Sequence, residues 1–215
     1  MRQLNQPARF GIVVYPGVEP IDLGATAGVV SMARRVLPAI ECVIIASEPG
    51  AVELAGGVSI IAAAGFDSCP VCDIYIVCGG PGWEQQVPNE TMLAFLRRLP
   101  SGSVASVCTG GLILAAAGVL GGRQATTRRH RLGTEASAPL ARLAQICNSV
   151  RPIAAAVCDD RGVVTSGGVS LAIDGTLYLI GSLYGREAQD EIARVIEYNR
   201  SFEANRAALG HAIAR

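Results

Sequence analysis

One thiol in this sequence stands where a thiol can react. In Val104-Ala-Ser-Val-Cys-Thr-Gly-Gly-Leu-Ile-Leu-Ala-Ala-Ala-Gly118, a run of β-formers meets a run of helix formers at Cys108. A nucleophile held on a tight strand-to-helix turn is crowded, so small residues are needed two before and two after it; Ser106 and Gly110 fill those places. A helix start leaves unpaired N–H groups and the positive end of the macrodipole beside the sulfur, favouring thiolate over a thiol whose free pKa is about 8.5. The spacing therefore predicts a thiol reactive near neutral pH. The Thr109 amide would face whatever the sulfur attacks. The amides of Gly79 and Gly80, in Cys78-Gly-Gly-Pro-Gly82, would complete an oxyanion-type pocket. The alternative is that Cys108 is a small buried hydrophobe, as free cysteine commonly is. Agreement of strand, thiol, Thr-Gly-Gly and helix in one place favours chemistry.

The other six cysteines have no such setting. Cys42, Cys78, Cys147 and Cys158 lie in or beside apolar segments and read as packing. Cys69-Pro-Val-Cys72 is a CxxC. A zinc site needs four ligands, but no second CxxC exists and His130 and His211 are not spaced as a pair. A redox CxxC is ordinarily followed by a helix start, and here a strand follows. Neither metal nor dithiol chemistry is expected at this motif, and no metal or organic cofactor is expected in the protein.

The elements that must position Cys108 alternate along the chain. Strands are predicted at Arg9 to Tyr15, Glu41 to Ala46, Asp73 to Cys78 and Val104 to Val107, with a short accessory strand at Val58 to Ala62. Helices are predicted at Ala25 to Val36, at Glu90 to Leu99 behind an Asn89 cap, from about Thr109, and at Thr134 to Leu143. Strands near Ala154 to Cys158 and Gly162 to Thr165 precede closing helices at Ile173 to Tyr184 and Arg186 to Tyr198, and the tail after Arg200 is unassigned. This alternation implies an α/β fold: a mostly parallel sheet with helices on both faces, its ligands held outside the carboxyl ends of the strands.

Composition narrows the partners. A chain of 215 residues, 50% hydrophobic, supports one domain over residues 1–215 with a substantial core. Eighteen basic and eighteen acidic residues balance to zero, so electrostatics recommends a small neutral substrate over nucleic acid. Seven cysteines, several in apolar runs, suit reduced thiols and a cytoplasmic protein. The amino terminus lacks the apolar centre of a signal peptide, and no window reaches about eighteen uninterrupted apolar residues, so no membrane association is expected.

Val107-Cys-Thr-Gly110, Leu114-Ala-Ala-Ala-Gly-Val-Leu120, Ala125-Thr-Thr127, Thr165-Ser-Gly-Gly-Val-Ser-Leu-Ala-Ile-Asp174 and Phe66-Asp-Ser-Cys-Pro70 together resemble the ThiJ/PfpI superfamily. The likeness spans about residues 9–198 and is strongest to isonitrile hydratases and to the ligand domains of AraC-type regulators. It implies a flavodoxin-like three-layer sandwich and a homodimer. In the hydratases, the nucleophilic cysteine is followed by a working threonine and faces an aspartate from the loop after the first strand. By position these are Cys108, Thr109 and Asp22, with Gly79, Gly80 and Gly110 lining the substrate. Read alone, Asp22 is equally a helix cap or a solvated loop acid.

The chain departs from the pattern twice. Leu23-Gly-Ala-Thr-Ala-Gly28 replaces the usual Leu-x-Gly-Pro with its following acid, and Arg128 stands where related proteins with a Cys-His pair carry histidine. His130, two residues on, reads as an exposed residue at a helix start. Neither histidine begins a His-x-Glu, which disfavours glutamine hydrolysis and peptidase activity. The resemblance thus implies hydration of an isocyanide to an N-substituted formamide. The alternative is a ligand-binding or cysteine-oxidation-sensing protein without turnover. An AraC-type regulator fits less well, because only seventeen residues follow Tyr198.

Overall fold

Ala8–Val13 and Ile74–Val77 carry apolar residues buried at nearly every position, the pattern of strands covered on both faces. In the computed structural model, which describes residues 1–214, they are neighbours in an eight-stranded sheet. Its order is His211–Ala214, Val157–Asp160, Val163–Ser166, Val104–Ser106, Ile74–Val77, Ala8–Val13, Ile40–Ala46 and Ala64–Gly65. Neighbours run parallel throughout, except that Val157–Asp160 opposes Val163–Ser166. The sheet is mostly parallel and flanked by helices, as the flavodoxin-like reading expects.

The helices form two packed groups. In one, the stretch from Pro20 to Ala33 meets Leu171–Tyr184 and Arg186–Val195; in the other, Gly110–Ala116 meets Trp83–Gln86, Glu90–Arg98 and Pro139–Ile146. Phe10, Ile12, Ile76, Leu112, Ile113 and Leu114 are fully enclosed between sheet and helices. Burying each such side chain contributes roughly 1.5–3 kcal/mol. The Asn89 side chain accepts from the Met92 amide at 3.3 Å, the cap expected for Glu90–Arg98. Among the described residues no helix is long and apolar enough to cross a membrane.

Four boundaries differ from the sequence reading. The first helix begins at Pro20, not Ala25, and passes through a wide π turn at Gly24–Gly28 before Val29–Ala33. Pro20 suits a first helical position, while Gly24, Thr26 and Gly28 are weak helix formers that hide this start. Asp22 therefore lies in the helix's first turn and not in a loop. Pro139–Ile146 replaces the helix predicted at Thr134 to Leu143, again with proline at the start. Ser59–Ala62 pairs with Gly50–Glu53 in a separate antiparallel hairpin. The tail forms a helix, Asn199–Leu209, and a sheet-edge strand, His211–Ala214, that lies parallel to Val157–Asp160.

Chain order reverses around Ala8–Val13. From it the chain goes outward to Ile40–Ala46 and Ala64–Gly65, then returns to Ile74–Val77 on the opposite side. A crevice opens at the carboxyl ends of strands on either side of such a reversal. The segments leaving those ends carry Asp22, Gly79, Gly80, Cys108 and Thr109.

Candidate active site

Three strand ends each deliver one part of the site. Cys108 follows Val104–Ser106 with φ of 50°, a left-handed conformation that a residue with a side chain keeps only when its surroundings enforce it. Its amide donates to the Gly167 carbonyl at 3.2 Å, and its own carbonyl accepts from the Thr127 hydroxyl. Gly110 lets the following helix start against the neighbouring strand, since a Cβ there would overlap the Val77 carbonyl oxygen. The loop from Gly167 to Val169 covers the sulfur with bare backbone: a Cβ on Gly168 would overlap Cys108 Sγ.

Asp22 comes from the first helix and is fully buried. Its Oδ2 accepts from the Gly79 amide at 2.9 Å, its Oδ1 has no hydrogen-bond partner, and the carboxyl stands near enough to the Cys108 thiol for each to shift the other's ionisation. Burial pushes this carboxyl from 3.8 up to about 7. Thr109 Oγ1 accepts from the Gly80 amide at 2.9 Å and donates to the Gly80 carbonyl at 3.3 Å. The sequence reading aimed both glycine amides at a substrate. Each is instead engaged within the protein, Gly79 holding the acid and Gly80 holding the threonine.

The ionisation expected for Cys108 is overturned. Burial, then the charge of Asp22, push the thiol up to about 12, and the Thr109 amide and Arg128 only partly oppose them. A helix start favours a thiolate when the sulfur is solvated; here Cys108 is 4% exposed and the charge of Asp22 acts on it. The resting sulfur is a thiol. It nevertheless lines a cavity of about 270 Å³ together with Glu19, Gly80, Trp83, Thr109, Arg128, Leu132 and Glu135.

Arg128 is the member that sequence reasoning missed. It was read as the loss of a histidine, yet it forms the cavity wall at 7% exposure, ion-paired with Glu135. A buried arginine needs a carboxylate partner, so an acid a few residues away was the available signal. His130 is exposed in a bend outside any helix and offers Arg128 only its carbonyl. His211 sits half-buried in the edge strand beside Tyr178 and Phe202. Neither histidine lines the cavity. Among the described residues no three His, Cys, Asp or Glu side chains are grouped to hold a metal ion.

A profile of the DJ-1/PfpI family matches residues 8–180. The chain belongs to that family. An isonitrile hydratase of Pseudomonas putida is 30% identical over 194 residues, covering 88% of this chain and 78% of that protein. The HTH-type transcriptional regulator GbdR of Pseudomonas aeruginosa is 32% identical over 145 residues; the match covers 67% of this chain and 37% of the regulator. The crystal structure of a ThiJ/PfpI family protein from Pseudomonas syringae superposes with a TM-score of 0.76 at 26% identity, over 91% of this chain and 77% of that one.

In this DJ-1/PfpI protein, burial raises both the Asp22 carboxyl and the Cys108 thiol, the thiol further, so the thiol keeps its proton after the carboxyl has lost its own. Such a pair can move a proton from sulfur to an electrophile without a histidine. Thr109 is fixed beside the sulfur by its two hydrogen bonds to Gly80.

Proposed function

We propose that the protein is an isonitrile hydratase-like lyase that converts an isocyanide into an N-substituted formamide by covalent catalysis at Cys108. The observation that carries this reading is the buried Asp22 carboxyl, with one oxygen free of partners, near a Cys108 thiol that lines a cavity with no histidine in its wall. Asp22 draws the thiol proton as the sulfur attacks the terminal carbon of R–NC, then passes that proton to the same carbon. One C–S and one C–H bond form, giving the thioimidate Cys–S–CH=N–R. Asp22, again a carboxylate, takes a proton from water as the water oxygen attacks the thioimidate carbon and hands it to the nitrogen. The C–S bond then breaks, the departing sulfur recovers the remaining hydroxyl proton, and R–NH–CHO leaves. One carboxyl acting alternately as base and acid needs a pKa near the working pH, and burial supplies it. The 30% identity to an isonitrile hydratase supports the same reading.

The test is formamide production from cyclohexyl isocyanide by the wild type and by Cys108→Ala. Turnover by the wild type alone supports the proposal; no turnover by a folded wild type overturns it. A second reading, ligand binding without turnover, draws on the Arg128–Glu135 pair across the cavity wall. Its oxidation-sensing form fits less well, because peroxide attacks thiolates and Cys108 rests as a thiol.

A further inference from the structure

Cys69-Pro-Val-Cys72 lies at the end of the strand Ile74–Val77 opposite to Gly79, well apart from the cavity described above. The structure shows what its spacing alone did not. Both thiols donate to one oxygen, the Pro70 carbonyl, at 3.2 Å from Cys69 Sγ and 3.3 Å from Cys72 Sγ, so the two sulfurs converge on the same point. The segment is a turn without helix or strand, its tip Val71 is 84% exposed, and Cys69 is partly open while Cys72 is buried. Cys72 is fixed from behind: its amide donates to the Tyr75 hydroxyl at 3.0 Å, and its sulfur sits against Gly11.

We propose that Cys69 and Cys72 are a redox-active dithiol that closes to an intramolecular disulfide by exchange with a small-molecule disulfide such as oxidised glutathione. The geometry separates an outer, attacking sulfur from an inner, resolving one. Cys69 gives up its proton and attacks one sulfur of the external disulfide, forming a mixed disulfide and releasing one thiol. Cys72 then attacks the Cys69 sulfur, and the second thiol leaves with the proton Cys72 gave up. Two electrons pass from the protein to the external disulfide, and the two sulfurs, which already share the Pro70 carbonyl, close to an S–S bond of about 2.05 Å. Burial raises both thiols, Cys72 to about 12, so exchange is slow at neutral pH and quickens as pH rises. This site stands independently of the reaction proposed at Cys108.

The experiment treats the full chain, in a Cys108→Ala background, with excess oxidised glutathione at pH 7 and pH 9, then counts thiols after denaturation and measures intact mass. The expected result is loss of two thiols and two hydrogens, at least tenfold faster at pH 9, with the other thiols retained. Cys69→Ser and Cys72→Ser in the same background should each lose that closure and carry one bound glutathione or none. Should the buried Cys72→Ser fail to fold, Cys69→Ser at the open position gives the same reading. Retention of all thiols, stable glutathione adducts in place of closure, or the same two-thiol loss in Cys69→Ser would each overturn the proposal. With Cys108 intact, Cys69→Ser should leave isocyanide turnover within about twofold of wild type.

Discussion

Asp22 and Asp174 are buried alike and employed differently. Both are fully enclosed, burial raises both carboxyls, to about 7 and about 6, and each leaves its Oδ1 without a protein partner. Asp174 Oδ2 accepts from the Tyr198 hydroxyl at 2.9 Å and from Asn205 Nδ2 at 3.1 Å, tying the helix Leu171–Tyr184 to Asn199–Leu209. Asp22 is held by one amide and lies near a thiol that lines a cavity. Burial raises a carboxyl wherever it occurs. What the carboxyl then does depends on whether its neighbours are fixed donors or a group that can react.

The sharpest way to break this comparison is to neutralise each acid. Cys108→Ala should remove formamide production altogether, and Asp22→Asn should lower it about 10²–10⁴-fold, the range for losing a positioned acid–base group. Asp174→Asn should leave it within about twofold. Equal losses from the two aspartates, read as kcat/KM on cyclohexyl isocyanide, would erase the distinction.

The pH profile sharpens the same contrast. Below about 7 Asp22 is protonated and cannot accept the thiol proton, so kcat/KM should rise through about 7 and stay level until the pair loses its shared proton toward about 12. Asp174→Asn should keep that acidic limb.

Stability should move in the opposite sense. The carboxyl of Asp22 titrates at 3.8 when unfolded and about 7 when folded, so its contribution is fully present below 3.8 and is lost as pH rises to about 7. Asp22→Asn should therefore gain on wild type by roughly 2–4 kcal/mol in urea unfolding between pH 4 and pH 8. Asp174→Asn should gain less, because its rise is smaller and the substitution perturbs the bonds from Tyr198 and Asn205. Thr109→Val, which leaves the Gly80 amide without its acceptor, should cost about 1–3 kcal/mol of stability in the same urea unfolding.

Much of this arrangement was legible in the sequence because local rules and the fold agree. Buried apolar runs marked the central strands, Asn89 marked a helix start, and small residues around Cys108 marked the turn that carries it. Failures came where a long-range neighbour decided the outcome. The helix start suggested a thiolate, but burial of the sulfur, and then the charge of Asp22 far away in the chain, reverse this. His211–Ala214 escaped notice because four residues at a sheet edge, three half-covered and Ile213 exposed, show no buried face, and their strand exists only through pairing with Val157–Asp160. The helix at Pro20 was concealed by glycines that the π turn accommodates. Arg128 was judged by the histidine it replaces and not by Glu135, which it meets.

The backbone laid over the sulfur at Gly168 has a bearing on redesign. Any residue but glycine there collides with Cys108 Sγ, so that side of the chamber has a fixed contour that no substitution can reshape without moving the loop. Under the isonitrile hydratase proposal, variation in which isocyanides are admitted is to be sought at Trp83, Leu132 and the arginine–glutamate pair, whose residues also line the cavity. A library randomised at those positions should yield altered selectivity; one randomised at residue 168 should return glycine.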